Sequence, residues 1–156
     1  MIKIASKTLI DLEFPTICKQ VSEFCITNMG IEKALEIVPY TTGKKAVFGL
    51  HQTNEYVNSY QQDSRIPNHG FDSIHEEIRM LAIEDTILET AGFKKIASLS
   101  ETANIQLKFF NKNKELYPTL YETAVEVEYT KEITEKIGEV VNRFGEVKDE
   151  ASPALQ

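Results

Sequence analysis

Apolar residues recur along this chain at helical spacing, in segments set off by glycine, proline and short polar runs. The first clear segment opens at Phe14-Pro15, where the missing N–H of a proline costs nothing in a first helical turn. Ile17, Val21, Phe24 and Cys25 follow at helical steps. Asn28-Met29-Gly30 reads as a stop or sharp break, and a short run from Ile31 to Val38 is closed by Pro39. After a turn at Thr41-Thr42-Gly43, a long segment from Lys44 to Gln62 carries a seam of Val47, Leu50, Asn54 and Val57. Asn54 interrupts that seam as an interhelical hydrogen bond or a register-setting polar residue would, with a ligand contact as the weaker alternative.

Arg65 to Gly70 is a loop by composition, and Ser73 with Glu76 spells a capping box ahead of Ile74, Ile78 and Leu81. A second long helix is predicted from about Ile87 toward Asn113. Its seam of Phe93, Ile96, Ser100, Ala103, Leu107 and Phe110 suits packing along another helix. Asn111 to Lys114 is a polar turn or frayed end. Tyr117 to Val125 forms a shorter helix with Pro118 near its start, and Glu126 to Tyr129 suits an extended segment, as do residues 1–4. From Thr130 onward Ile133, Ile137, Val140, Val141 and Phe144 give an amphipathic stripe, with Gly145 where a C-cap is expected. The expected fold is all-α, a bundle of long packed helices in a single domain over residues 1–156. Its packing is expected to rest on Phe24, Val47, Leu50, Val57, Phe93, Leu107, Ile137, Val141 and Phe144.

Asp149 to Pro153 reads as a further helix start, with Ser152 as N-cap and Pro153 as the first helical residue. Only three residues follow, and one turn of helix is not stable alone. The expectation is that the natural chain continues beyond this point.

Composition narrows the function classes. The 156 residues are 42% hydrophobic and 26% charged, ordinary for a globular domain, and the formal net charge is −7. With Arg65, Arg79 and Arg143 scattered, and Lys44-Lys45 and Lys94-Lys95 read as solvated helix ends or faces, a main nucleic-acid surface is not expected. There is no apolar run of membrane-spanning length, and the N-terminal residues lack the apolar core of a secretory signal. Cys18 and Cys25 on one helix would lie about 10 Å apart, too far for a disulfide. Two such thiols suit core packing in a reducing, cytoplasmic setting.

No catalytic pattern emerges. Around Thr42-Gly43-Lys44-Lys45, Val38 stands where a P-loop needs its first glycine and Lys45 where it needs a hydroxyl. His75-Glu76-Glu77-Ile78-Arg79 begins like a zinc-protease helix, but Arg79 replaces the second histidine. His69, Asp72 and His75 could meet a metal only if their loop folded back. Nothing positions Cys18, Cys25 or the distant His51 as a nucleophile and base. No catalytic residue, cofactor site or metal site is expected in the chain.

Several stretches carry a resemblance. Ser6-Lys7-Thr8-Leu9-Ile10-Asp11-Leu12-Glu13-Phe14 opens the chain; Thr27 to Gly30, Ala34-Leu35, Val38-Pro39-Tyr40 and Leu50 to Glu55 follow; and Gly145-Glu146-Val147-Lys148-Asp149-Glu150-Ala151-Ser152-Pro153-Ala154-Leu155 closes it. In order and spacing these resemble the N-terminus of the bacterial MutS-two paralogue, in the anti-recombination branch of the MutS family. The closing stretch is the most specific. The resemblance implies the first part of a helical core, or lever, domain, with Ser152-Pro153 opening the helix that climbs to a clamp. It implies a parent with an ABC-type ATPase using ATP and magnesium, a C-terminal Smr endonuclease domain, and a homodimer on branched DNA or on the ribosome that suppresses recombination. None of the parent's nucleotide or nuclease motifs occurs here, so no catalytic residue carries over. The partner implied for this segment is the remainder of the parent chain, its clamp and ATPase domains, with weak or no nucleic-acid binding of its own. The alternative is a free-standing helical protein-interaction module.

Overall fold

Local capping decides where the helices of this chain begin, in a computed structural model that describes residues 4–152. The expected extended start over residues 1–3 and the helix opening at Pro153 lie outside the described residues. Those described contain eight α-helices and no strand, so the fold is all-α. The helices are α1 (Ser6–Asp11), α2 (Phe14–Ser22), α3 (Asn28–Leu35), α4 (Gly43–Ser59), α5 (His75–Leu81), α6 (Thr90–Lys112), α7 (Pro118–Ala124) and α8 (Lys131–Val140), and a 3-10 turn follows at Asp149–Ala151.

Four boundaries differ from the sequence expectation. Asn28-Met29-Gly30 starts a helix rather than stopping one, because the Thr27 hydroxyl accepts the Gly30 N–H at 3.0 Å and caps α3. The Ser73–Glu76 capping box does not form: α5 begins at His75, and the Ser73 hydroxyl bonds His75 Nδ1 at 3.0 Å instead. Residues 126–129 are a turn and irregular chain, not a strand. The stripe from Ile133 to Phe144 is not one helix. It ends at Val140, because Asn142 Oδ1 accepts the N–H groups of Phe144 and Glu146 at 2.8 and 3.1 Å, offering the backbone a tight hairpin in place of another turn. Val141 and Val147 close that hairpin as an isolated antiparallel bridge. Gly145 therefore serves the hairpin rather than a helix C-cap, at a φ of +88° that side chains rarely adopt.

Where a single domain over 1–156 is expected, the chain forms two compact units, Met1–Ile66 with Asn113–Glu122 and Pro67–Lys112 with Thr123–Gln156. In the first, α2 packs against α1 and α3, with Cys18 and Ala34 buried between them. Tyr117 is fully buried, and its hydroxyl donates to the Ser64 carbonyl. In the second, α6 packs along α8 and against α5, burying Ile96, Ser100, Asn104 and Val141.

The chain exposes 11972 Å². Two separate compact bodies of this total mass would expose about 9,500 Å². Large apolar side chains, Phe24, Leu50 and Ile87 among them, stand exposed on the described residues.

Candidate functional site

The surface of α4 carries part of this exposed apolar material. Phe48, Gln52, Glu55 and Tyr56 are half-buried and Ser59 is buried, so the helix turns this mixed face inward. The predicted seam of Val47, Leu50, Asn54 and Val57 points the other way, and Leu50 is 69% exposed. Glu55 fixes the choice. Pro118 opens α7 without an N–H, and the next two orphan donors, Thr119 and Leu120, both bond the Glu55 carboxylate at 2.9 Å. Placing Glu55 at the end of α7 rotates the apolar seam of α4 into solvent. Asn54 is exposed, and it makes no interhelical hydrogen bond among the described residues.

The other expected packing positions divide. Val141 is buried, and Phe93, Leu107 and Ile137 are half-buried in the second unit. Phe24 is 87% exposed and Phe144 65%. The expectation that Phe24, Val47, Leu50, Val57 and Phe144 pack inside this chain is thus corrected. Phe24 falls beyond the end of α2, where the chain leaves the helix, and Phe144 sits on the hairpin beneath the Arg143 guanidinium, 4.7 Å from its ring centre.

Two polar anchors in the second unit carried no sequence signal beyond their polarity. Asn104, buried on α6, accepts the Thr130 N–H at 3.0 Å, while its own carbonyl accepts the Tyr129 hydroxyl at 3.2 Å. The start of α8 is thereby pinned to α6. Glu77 on α5 has a side chain only 9% exposed and pairs with Lys95 at 2.7 Å, while its other oxygen has no hydrogen-bond partner. The hydrogen bond from Lys95, helped by the Glu77 backbone N–H, holds the carboxyl below its ordinary range against the opposing effect of burial. The same bond raises the Lys95 ammonium.

Between α6 and α8 lies an open groove of about 540 Å³. Lys94 comes from the start of α6, while Arg143 and Lys148 come from the hairpin and the residue after it. These cations are up to 54 positions apart in the chain, which is why the sequence shows no basic patch. None of the three has a carboxylate partner among the described residues, although acids outnumber bases 24 to 17. Glu101 is the acid in the lining, and Ala97, Ile137 and Gly138 form an apolar floor. Lys148 Nζ donates to the Gly138 carbonyl near the C-terminus of α8.

Among the described residues no three His, Cys, Asp or Glu side chains gather as a metal ion would require. His69 Nδ1 lies 3.1 Å from the Pro67 carbonyl and His75 bonds Ser73, so both rings are engaged locally. No helix among the described residues is long and apolar enough to cross a membrane.

No family model and no solved structure matches the chain. Over 96% of its length it is similar to bacterial proteins named endonuclease MutS2. A MutS2 from Caldanaerobacter subterraneus is 30% identical over 152 residues, one from Symbiobacterium thermophilum 26% over 149, and one from Lactiplantibacillus plantarum 24% over 155. The chain spans only about a fifth of the length of these relatives. The similarity therefore fits a segment of a MutS-type protein, and the nuclease activity in the name MutS2 is that of the whole relatives.

Proposed function

We propose that this chain is a non-catalytic lever segment of a MutS-type ATPase, coupling nucleotide state to the position of a DNA clamp through stiff, packed helices. The observation that carries this is similarity to MutS2 along 96% of the chain. The outward apolar seam of α4 supports it, because a lever segment needs a face for the remainder of its core. In this reading the partners of the chain are the clamp and ATPase domains of the same parent. ATP and magnesium bind in that ATPase, and an Smr domain supplies the nuclease. The parent works as a cytoplasmic homodimer on branched DNA or on the ribosome, suppressing recombination in the first case and serving ribosome quality control in the second. The segment itself binds nucleic acid weakly or not at all.

Sequencing the native reading frame on the 3′ side of the Gln156 codon tests the proposal. A continuing helix and, further on, a Gly-x-x-x-x-Gly-Lys-Ser/Thr loop are expected. A stop codon directly after Gln156, with no adjoining ATPase frame, overturns it in favour of a free-standing interaction module, for which the same exposed seam would be the docking face. The 156-residue chain alone is expected to hydrolyse no ATP.

A further inference from the structure

We infer that the groove between α6 and α8 binds a small phosphorylated ligand of about nucleotide size. Three features of the groove carry this, independently of the lever assignment.

The first is charge. Lys94, Arg143 and Lys148 face a groove whose lining holds a single acid, Glu101, in a chain of net charge −7. Five cations elsewhere in the chain, Lys33, Arg79, Lys95, Lys131 and Lys136, pair with carboxylates at 2.6–2.9 Å. The groove's three cations pair with no carboxylate among the described residues, and the fold gathers them from two distant segments onto one open space, so their charge is available to an incoming anion. The Arg143 guanidinium lies 4.7 Å from the Phe144 ring centre, a cation–π contact that limits its freedom. Lys94 has its stem against Gly145, its Cδ 3.2 Å from where a Cβ would stand, so the hairpin orients it as well. Lys148 spends one of its three donors on the Gly138 carbonyl.

The second is shape. A volume of about 540 Å³ is that of a small-molecule site, with room for more than a bare phosphate. The third is the chemistry of the floor. Ala97, Ile137, Gly138 and Val141 offer apolar surface to an organic body, while Ser98 and Glu101 offer acceptors for its hydroxyl or amino groups. An anion at one end and a donor-bearing apolar body at the other describes a phosphate monoester such as a mononucleotide. A long strand fits less well. Beyond the Debye length of about 8 Å its further phosphates would gain nothing from the groove, and within it they would meet an acidic protein.

Gly138 makes the idea testable without touching charge. Gly138 lines the groove, and a Cβ built there meets nothing within 4 Å, so a side chain fits at the groove without disturbing the packing of α8. Gly138→Leu also replaces a poor helix former with a good one. Adenosine monophosphate titrated into the intact chain, followed by amide chemical shifts, is expected to move resonances around Lys94, Ser98, Gly138 and Arg143, with a Kd of about 1 mM or tighter. Lys94→Gln and Arg143→Gln should each weaken binding about fivefold, and Gly138→Leu should abolish it while helical circular dichroism is retained. Lys33→Gln, on an ion pair elsewhere, should change nothing. Adenosine binding as well as its monophosphate, or Gly138→Leu binding as the parent does, overturns the proposal. A single-stranded oligonucleotide binding tighter than the mononucleotide overturns it in favour of a strand site, and inorganic phosphate matching the mononucleotide overturns the role of the floor.

Discussion

Glu77 keeps a charged carboxylate nine-tenths out of water with Lys95 bonded to one oxygen, so its effect on stability depends on pH from both sides. The folded carboxyl is held below its unfolded value, so its stabilisation is present above about pH 4.3 and is lost as pH falls through the lowered folded value. The folded ammonium is raised, so its share is present below about pH 10.4 and is lost as pH rises through the raised folded value. Replacing Lys95 with Met leaves a buried carboxylate unpaired. Thermal melts across pH should show a lower Tm at pH 7 than the parent chain and a smaller further loss on acidification; an unchanged acid limb would dismiss the pairing. Asn104→Ala strands the Thr130 N–H, at a cost of about 1–3 kcal/mol in urea unfolding. Both residues are visible in the sequence as polar positions, Asn104 within an apolar segment, but their partners lie 18 and 26 residues away and no local pattern names them.

At the scale of elements, the periodicity found most helices, and caps set their limits. Thr27 and Thr42 both cap as short side chains before a helix should, the second accepting the Lys45 N–H at 3.4 Å. The end of α8 was not legible from its stripe, because a valine at 141 fits a helix and a hairpin bridge equally and the side chain of Asn142 decided between them. The N-terminal donors of α7 are bonded by a residue more than sixty positions earlier. Glu55→Ala should therefore destabilise the chain by about 1 kcal/mol in denaturant unfolding, although Glu55 is nowhere near α7 in sequence. The two faces of the helical seams should also respond differently. Val141→Asp buries an unpaired charge and should unfold the second unit, seen as loss of helical circular dichroism. Leu50→Asp on the outer face of α4 should shift stability by no more than about 0.5 kcal/mol. Equal damage from both would mean that Leu50 is packed after all.

For the whole molecule, the many exposed large apolar side chains are the property with consequences in solution. Exposed apolar faces on this scale should make the isolated chain self-associate. Sedimentation velocity is expected to show concentration-dependent oligomers that Leu50→Lys with Val57→Lys reduces; a monomer at all concentrations would show the seam to be inert. The sequence by itself determined that the chain is helical, roughly where most helices run, and that its motifs resemble those of the proteins named endonuclease MutS2, because helix periodicity, caps and motif order are written within a few neighbouring residues. Only the tertiary structure decided which face of α4 turns inward, that Asn104 and Glu77 are anchors, and that three scattered cations share one groove. Those outcomes depend on groups brought together from distant parts of the chain, and a hydrophobic stripe states that a face is sticky without stating what will cover it.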